Sequence, residues 1–549
     1  MDRAGLPASP LDAARAAIGK GDWNAAARSA RHSLEQEETA EAHELLGLAS
    51  WWLSDAETLF RSRERAYRLY VDRGEPRRAA RIATWLDWDT RAFRGEPAVA
   101  NGWLRRARRL LEGHHDSAEY GWLLLREADA RLARDAVAAA AGAADAAELG
   151  RRHQDPDLEY IALSLEGRAL VAAGSVAEGM QQLDEATAAV VAGEFADRSA
   201  AGVTCCNLIS ACEMVRDFDR AGQWCARVRE YCRQWDHPAL FTVCRTQYAG
   251  VLVSSGDWAA AETELASAVP ELEELRPGWT SLGYLRLADL RRRQGRLDEA
   301  AAIFEKLATT PDAGLGLAAI ALERGAPAEA ERLARRVLRQ VPQSNHTARA
   351  AALELIVLAA AAGGRANGAA AELTELERLA AGVESEALRA SARLAAAGAA
   401  GARGRPDEAR DAFEEAASLF ERAGAPYDSL RARLLLADQL LTAGALDAAA
   451  AEAAAAARQA RQLGARSLEQ RATALSRSLL AKPGRQESLT SREREVLGHV
   501  VHGLTNRQIA GRLGVSQHTV HRHLANVFTK LGLSSRTAAV AFALRHGIG

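Results

Sequence analysis

Nowhere in the chain of 549 residues is there a Gly-x-x-x-x-Gly-Lys-Ser/Thr phosphate loop, which excludes the commonest nucleotide-driven motor. There is no uninterrupted apolar run long enough to cross a bilayer and no cationic leader followed by an apolar stretch. A cytoplasmic protein without membrane contact is therefore expected. Strands do not alternate with helices at the N-terminus, which argues against a phosphoacceptor receiver domain. The scattered Asp, Glu and His offer no nucleophile–base arrangement, so no catalytic residue, cofactor or metal site is assigned and a non-enzymatic role is expected. Cysteine is confined to six positions from Cys205 to Cys244, and all 11 tryptophans lie at or before Trp279.

What is present is mostly alanine, leucine, arginine and glutamate, and from about residue 11 to 480 the pattern reads as helix throughout. A turn-plus-helix opening recurs: Gly-Asp-Trp23, Arg-Asp-Phe218, Gly-Asp-Trp258, Gly-Arg-Leu297, Gly-Ala-Pro327, Gly-Arg-Pro406 and Gly-Ala-Leu446, each followed within three residues by alanine. Gly256, Gly295, Gly325, Gly364, Gly404 and Gly444 mark a beat of mostly about 40 residues, as in a stacked helical array. Before Gly174 the phase is harder to read, with Gly21, Gly74 and Gly95 as the clearest punctuation. These units resemble tetratricopeptide-like helical hairpins with a longer period, and HEAT-like arrays are the structural alternative. Such an array buries its core between neighbours and leaves a long concave surface for a partner. The fold class expected is all-α: a solenoid of hairpins over 11–480, a loose terminus at 1–10, a polar linker at 481–488 containing Pro483-Gly484, and a compact domain over 489–549.

The net charge of −2 conceals a split. From Ser488 onward there are eight Lys plus Arg against two Glu, a net +6 that leaves −8 for the rest. A basic segment on an acidic body suits a reader of phosphate. Four helices follow from local chemistry. Thr490 with Glu493 and Thr505 with Gln508 are capping boxes opening the first two, which Gly503 and Gly514 end. Ser516 caps a third that runs to Gly532, and Ser535 caps a fourth closed by Gly547. The short turn between the second and third makes a helix-turn-helix. In the third helix Val520, Leu524, Val527 and Leu531 recur at helical spacing, and the opposite face carries His518, His521, Arg522, Ala525 and Thr529. That face is polar, cationic and narrow enough for a DNA major groove.

At these residues the chain resembles the LuxR-type DNA-binding domain. The matching pieces are LTSREREVL, the run Asn506-Arg507-Gln508-Ile509-Ala510, Ser516-x-x-Thr519-Val520, His523 and Lys530-Leu531. The resemblance covers about the last 60 residues. It implies that His521, Arg522 and Ala525 face the bases, and that Thr519, His523 and Lys530 contact phosphate or position the helix; Ser516 at the cap and His518 on the outward face join them as DNA-binding candidates. The residue after the Thr-Val pair is usually Lys in that family and is His521 here, so its charge on DNA depends on imidazole protonation. The large ATP-binding LuxR-type regulators carry a phosphate loop ahead of a similar helical array; this chain resembles their last two parts alone.

The expected function is sequence-specific regulation of transcription. The partners expected are double-stranded DNA bound as a homodimer, a small-molecule or protein effector on the helical array, and RNA polymerase as a candidate contact. The alternative is an interaction scaffold whose tail docks a protein or coats DNA without sequence preference. Trp51, Trp52, Trp85, Trp88 and Trp103 do not occupy the repeat slot of Trp23 and Trp258, and either line an apolar pocket or serve ordinary helix packing. The cysteines flank the turn at Asp217-Phe218 so that a hairpin would bring Cys212 near Cys225 and Cys205 near Cys232. They form either a thiol switch or a set of small buried hydrophobes at a tight seam.

Overall fold

The computed structural model describes residues 9–235, 238–383, 385–480, 489–531, 533, 536–545 and 548. The terminus at 1–8, the linker at 481–488, and Gly532, Ser535 and Gly547 lie outside the described residues. Among the described residues there are 29 α-helices, from Pro10–Lys20 to Arg536–Arg545, and no strand. The all-α class is as the composition requires.

The repeat turns follow the chemistry of their residues. Asp22 and Asp257 stand at the N-caps of Trp23–Gln36 and Trp258–Leu275, where their carboxylates accept the amide N–H three residues on. Asp55, Asp135 and Asp155 do the same elsewhere, each satisfying an otherwise orphan helix donor. Gly256, Gly295, Gly325, Gly364, Gly404 and Gly444 all have φ between +71° and +89°, the left-handed conformation in which a side chain is costly. Gly424 and Gly464 adopt it too, so the 40-residue beat resolves into two helices with a turn after each. The repeats before Gly174 were hard to phase because Ser54 and Gln154, with φ of +59° and +54°, take the place of glycine; Arg216, φ +58°, does the same ahead of Phe218.

The chain separates into two compact units, Met1–Ala432 with Ala460–Arg466, and Arg433–Gln459 with Ser467–Gly549. In the first unit the array does not touch only its neighbours. The Asn345 side chain accepts from Ala136 N at 3.1 Å and donates to Leu132 O at 3.1 Å, across 209 and 213 residues. Arg276, 1% exposed, donates to Trp51 O at 2.9 Å and Ser54 Oγ at 3.0 Å. Ser385 Oγ donates to Val215 O. These contacts run between turns of the array some 170–225 residues apart. Parts of the array far apart in sequence are thus fastened to one another, where nearest-neighbour stacking alone was expected.

An ionic chain runs through the same unit. Glu354, 3% exposed, bridges Arg216 at 3.2 Å and Arg431 at 3.6 Å. Arg431 meets Asp428 at 3.0 Å, which lies 3.6 Å from Arg293; Arg293 and Arg292 share Asp289 at 2.8 and 2.7 Å. Burial pushes the Asp428 carboxyl up, but Arg293 and Arg431 outweigh it and hold the group below the usual range.

Candidate nucleic-acid interface

In the second unit the C-terminal segment is built as its caps dictate. Glu493 N donates to Thr490 Oγ1 at 3.2 Å while Thr490 N donates to Glu493 Oε2 at 2.8 Å, opening Ser491–Val501. Thr505 and Gln508 repeat the reciprocal pair at Asn506–Leu513. Gly514, φ +64°, ends that helix, and Val515 N turns back to Ala510 O at 3.1 Å. Thr519 N then donates to Ser516 Oγ at 3.0 Å, starting the helix Gln517–Leu531. Gly514→Ala should lower the stability of this segment by about 1–2 kcal/mol, the cost of a side chain in the left-handed region. A chemical denaturation curve read on the second unit checks it; an unchanged midpoint would mean that the turn is not strained.

Two apolar clusters hold the four helices. Val496, Val500, Ile509, Ala510, Val520 and Leu524 form one, and Leu489, Leu497, Val527, Ala539 and Ala543 the other. Val520, Leu524 and Val527 are buried and Leu531 packs beside them, so the inward stripe of the third helix is the one its spacing gives. Cross-braces fix the angles. Arg492 donates to Leu513 O at 2.7 Å, and Arg536 to Asn506 Oδ1 at 2.8 Å and to Leu504 O.

On the outward face His521, Arg522 and Ala525 are exposed, with His523 half-buried at its margin. Asn526 is exposed beside them, and Arg507 and Arg512 are exposed on the preceding helix. Sequence reasoning passed over these three, although Asn and Arg are the side chains that read adenine and guanine or pair with phosphate. The side chain of His518 lies outside the described residues. Ser516 and Thr519 share a hydrogen bond of 2.8 Å between their hydroxyls. Each keeps an oxygen able to accept or donate further, so helix capping and phosphate contact are compatible.

Lys530 has a different setting. Its ammonium donates to Glu493 Oε2 at 2.7 Å, tying the end of the third helix to the start of the segment. Burial pushes the Glu493 carboxyl up, but Lys530 and the Thr490 cap outweigh it and hold the group below its usual value. A carboxyl depressed in the folded state contributes stability above its unfolded value, which is lost as pH falls through the folded one. Lys530→Met should therefore destabilise the segment by about 1 kcal/mol at pH 7, the pair being a third exposed on the lysine side, with the difference fading as pH falls below about 4. If Lys530 served phosphate instead, the variant would lower the salt slope of DNA binding by about one and leave stability unchanged.

Residues 487–543 match bacterial regulatory proteins of the luxR family. The C-terminal segment is of that family. It is 56% identical over 55 residues to the probable transcriptional regulatory protein SgaR of Hyphomicrobium methylovorum, covering 10% of this chain and 26% of that one. It is 38% identical over 69 residues to the transcriptional regulatory protein LnrK of Bacillus subtilis, covering 13% and 31%. The chain thus spans less than a third of the length of either relative. Among solved structures it is similar to yeast Tom70, with a TM-score of 0.34 at 12% identity over 79% of this chain and 95% of that one. In the luxR-family segment, several of the residues that carry the resemblance take part in caps and braces: Thr490, Glu493, Asn506, Gln508 and Lys530.

Outside that segment, Cys205, Cys212 and Cys225 are buried, and Cys212 and Cys225 share one apolar cluster. The side chain of Cys232 lies outside the described residues. A further thiol pair among the described residues is Cys206 and Cys244, with sulfurs 3.9 Å apart. Their helices meet through the array, so turn symmetry about Asp217 gave no sign of them. Burial pushes the Cys212 thiol well up, and the thiolate is the reactive form. Among the described residues no group of three or more His, Cys, Asp or Glu could hold a metal ion, and no helix is long and apolar enough to cross a membrane.

Proposed function

We propose that the protein is a sequence-specific DNA-binding regulator of transcription. The observation that carries this is the outward face of Gln517–Leu531, where His521, Arg522 and Ala525 stand exposed over a buried Val520–Leu524–Val527 stripe. The match to the luxR family supports it. A helix with this division of faces fits a major groove, and its Arg is suited to bidentate contact with guanine. One such helix covers a half-site, so the protein engages DNA as a dimer. The helical-repeat region, net −8 before Ser488, is repelled by DNA and acts as the part that senses an effector.

The test is retention of sheared genomic DNA by the purified full chain, with the bound fragments sequenced. A small set of strongly enriched fragments is expected. Retention in proportion to fragment length would favour the scaffold that coats any duplex.

A further inference from the structure

Helix packing brings together two cysteines that sequence spacing does not pair. Cys206 lies on Ser199–Val215 and Cys244 on Pro238–Ser255, with their sulfurs 3.9 Å apart. They are 38 residues apart in the chain, and all of Phe218–Trp235 lies between them. Two turns further along, a second contact repeats nearly the same offset. Gly250 has no side chain, and Glu213 stands where its Cβ would be. Arg286 donates to both Glu213 and Gln247, the latter at 3.3 Å. The two helices therefore run side by side in the same direction, and their register sets thiol against thiol.

The two thiols are not equivalent. Cys244 is 7% exposed, whereas Cys206 is half-buried. Cys205, Cys212 and Cys225 are 3% exposed or less, so among the described cysteine side chains Cys206 is the one open to solvent. The hydrogen bond with Cys206 and burial both hold the Cys244 thiol well above its usual range. The thiolate is the form that attacks an oxidant, so Cys206 is the sulfur that reacts first and Cys244 the one that resolves. Two thiols without a third ligand do not make a soft-metal site, and among the described residues no third ligand joins them.

We propose that Cys206 and Cys244 form a dithiol site that a small hydroperoxide oxidises to a disulfide. In the first step the Cys206 sulfur attacks one peroxide oxygen. The O–O bond breaks, Cys206 becomes a sulfenic acid, and the other oxygen leaves as water or, from an organic peroxide, as the alcohol. In the second step the Cys244 sulfur attacks that of Cys206. The S–O bond breaks, the departing hydroxide takes the Cys244 proton, and water leaves. Two thiols are oxidised and one peroxide is reduced. Sulfurs in a disulfide lie about 2.05 Å apart, so the gap closes by about 1.9 Å, which falls to rotation of the two side chains about their Cα–Cβ bonds. Burial selects a small oxidant, because a bulky disulfide has to reach a half-buried sulfur between packed helices. The bond closes a loop around Phe218–Trp235, and nothing in it rests on the DNA reading.

Hydrogen peroxide added to the full chain, reduced and then freed of reductant, tests the proposal. Remaining thiols are blocked and the protein is digested with trypsin without reductant. The expected product is peptide 199–216, which carries Cys206, joined to 234–245, which carries Cys244. Dithiothreitol should separate them. Oxidised glutathione in place of peroxide should form the link at least about ten-fold more slowly; an equal rate would overturn the choice of oxidant. Peptide 199–216 also holds Cys205 and Cys212, so fragmentation of the linked pair locates the bond on the unmutated chain, whatever the variants do. With helical circular dichroism unchanged, Cys205→Ser should keep the link and Cys206→Ser should lose it. In Cys244→Ser, Cys206 should stop at the sulfenic acid, which dimedone labels. No link in the folded, peroxide-treated chain, a bond located at Cys205, Cys212 or Cys232, or a link that persists in folded Cys206→Ser would overturn the proposal and leave the pair as packing.

Discussion

Arg522→Ala should weaken binding to the selected DNA site by about 1–3 kcal/mol, a loss of roughly 5- to 150-fold, while binding to random duplex falls far less. Arg522 lies on the exposed side of the reading helix, between His521 and the inward Val520 and Leu524. Its removal leaves the caps, both apolar clusters and the Arg492 and Arg536 braces intact. Thermal stability should therefore stay within about 0.5 kcal/mol of the parent, as for other surface substitutions. Paired titrations on the selected site and on a scrambled duplex of equal length measure the ratio. An equal loss on both would reduce Arg522 to a phosphate contact and move base readout to His521, Asn526 or Ala525.

Glu354→Ala should destabilise the first unit by about 3–5 kcal/mol, because deleting one member of a buried ion network strands its partners. Glu354 is the junction at which Arg216 and Arg431 meet, and its carboxylate is 4% exposed. Its loss leaves two arginines facing each other, with Arg431 still held by Asp428 and Arg216 by Ser391 Oγ. Denaturant titration of the full chain, followed by tryptophan fluorescence, reports on this unit: every tryptophan precedes residue 280 and so lies within Met1–Ala432. A shift of less than about 1 kcal/mol would mean that water reaches the network and screens it.

The parts of the fold that obey local rules were open to reading in the sequence. Capping boxes at Thr490 and Thr505, the N-cap at Ser516 and the buried stripe of Val520, Leu524 and Val527 depend on residues three or four apart. The same holds for the glycine beat after Gly256. What stayed hidden depends on residues far apart in the chain. No periodicity predicts that Asn345 will fasten to Ala136, that Arg276 will reach Trp51, or that Cys206 will sit beside Cys244. Lys530 illustrates the limit within the luxR-family segment. Its type and place suited phosphate, and only the fold brings Glu493 to its ammonium. The N-terminal repeats were obscured for a local reason, since Ser54 and Gln154 make turns that glycine normally marks. The tryptophans were recognisable as unusual, but only the fold brings Arg63 onto Trp85, Arg81 onto Trp122 and Arg126 onto Trp88, each from a neighbouring helix.

The central claim is that this chain reads a DNA sequence through the exposed face of Gln517–Leu531. Selection from a randomised duplex library by the full chain, run in parallel with Arg522→Ala, tests it most directly. The parent should enrich a two-fold symmetric motif whose half-site centres lie about one helical turn, 10–10.5 base pairs, or a multiple of it apart. The variant should lose preference at one base pair in each half and keep the rest. A flat enrichment by the parent, or an identical motif from the variant, would contradict the account.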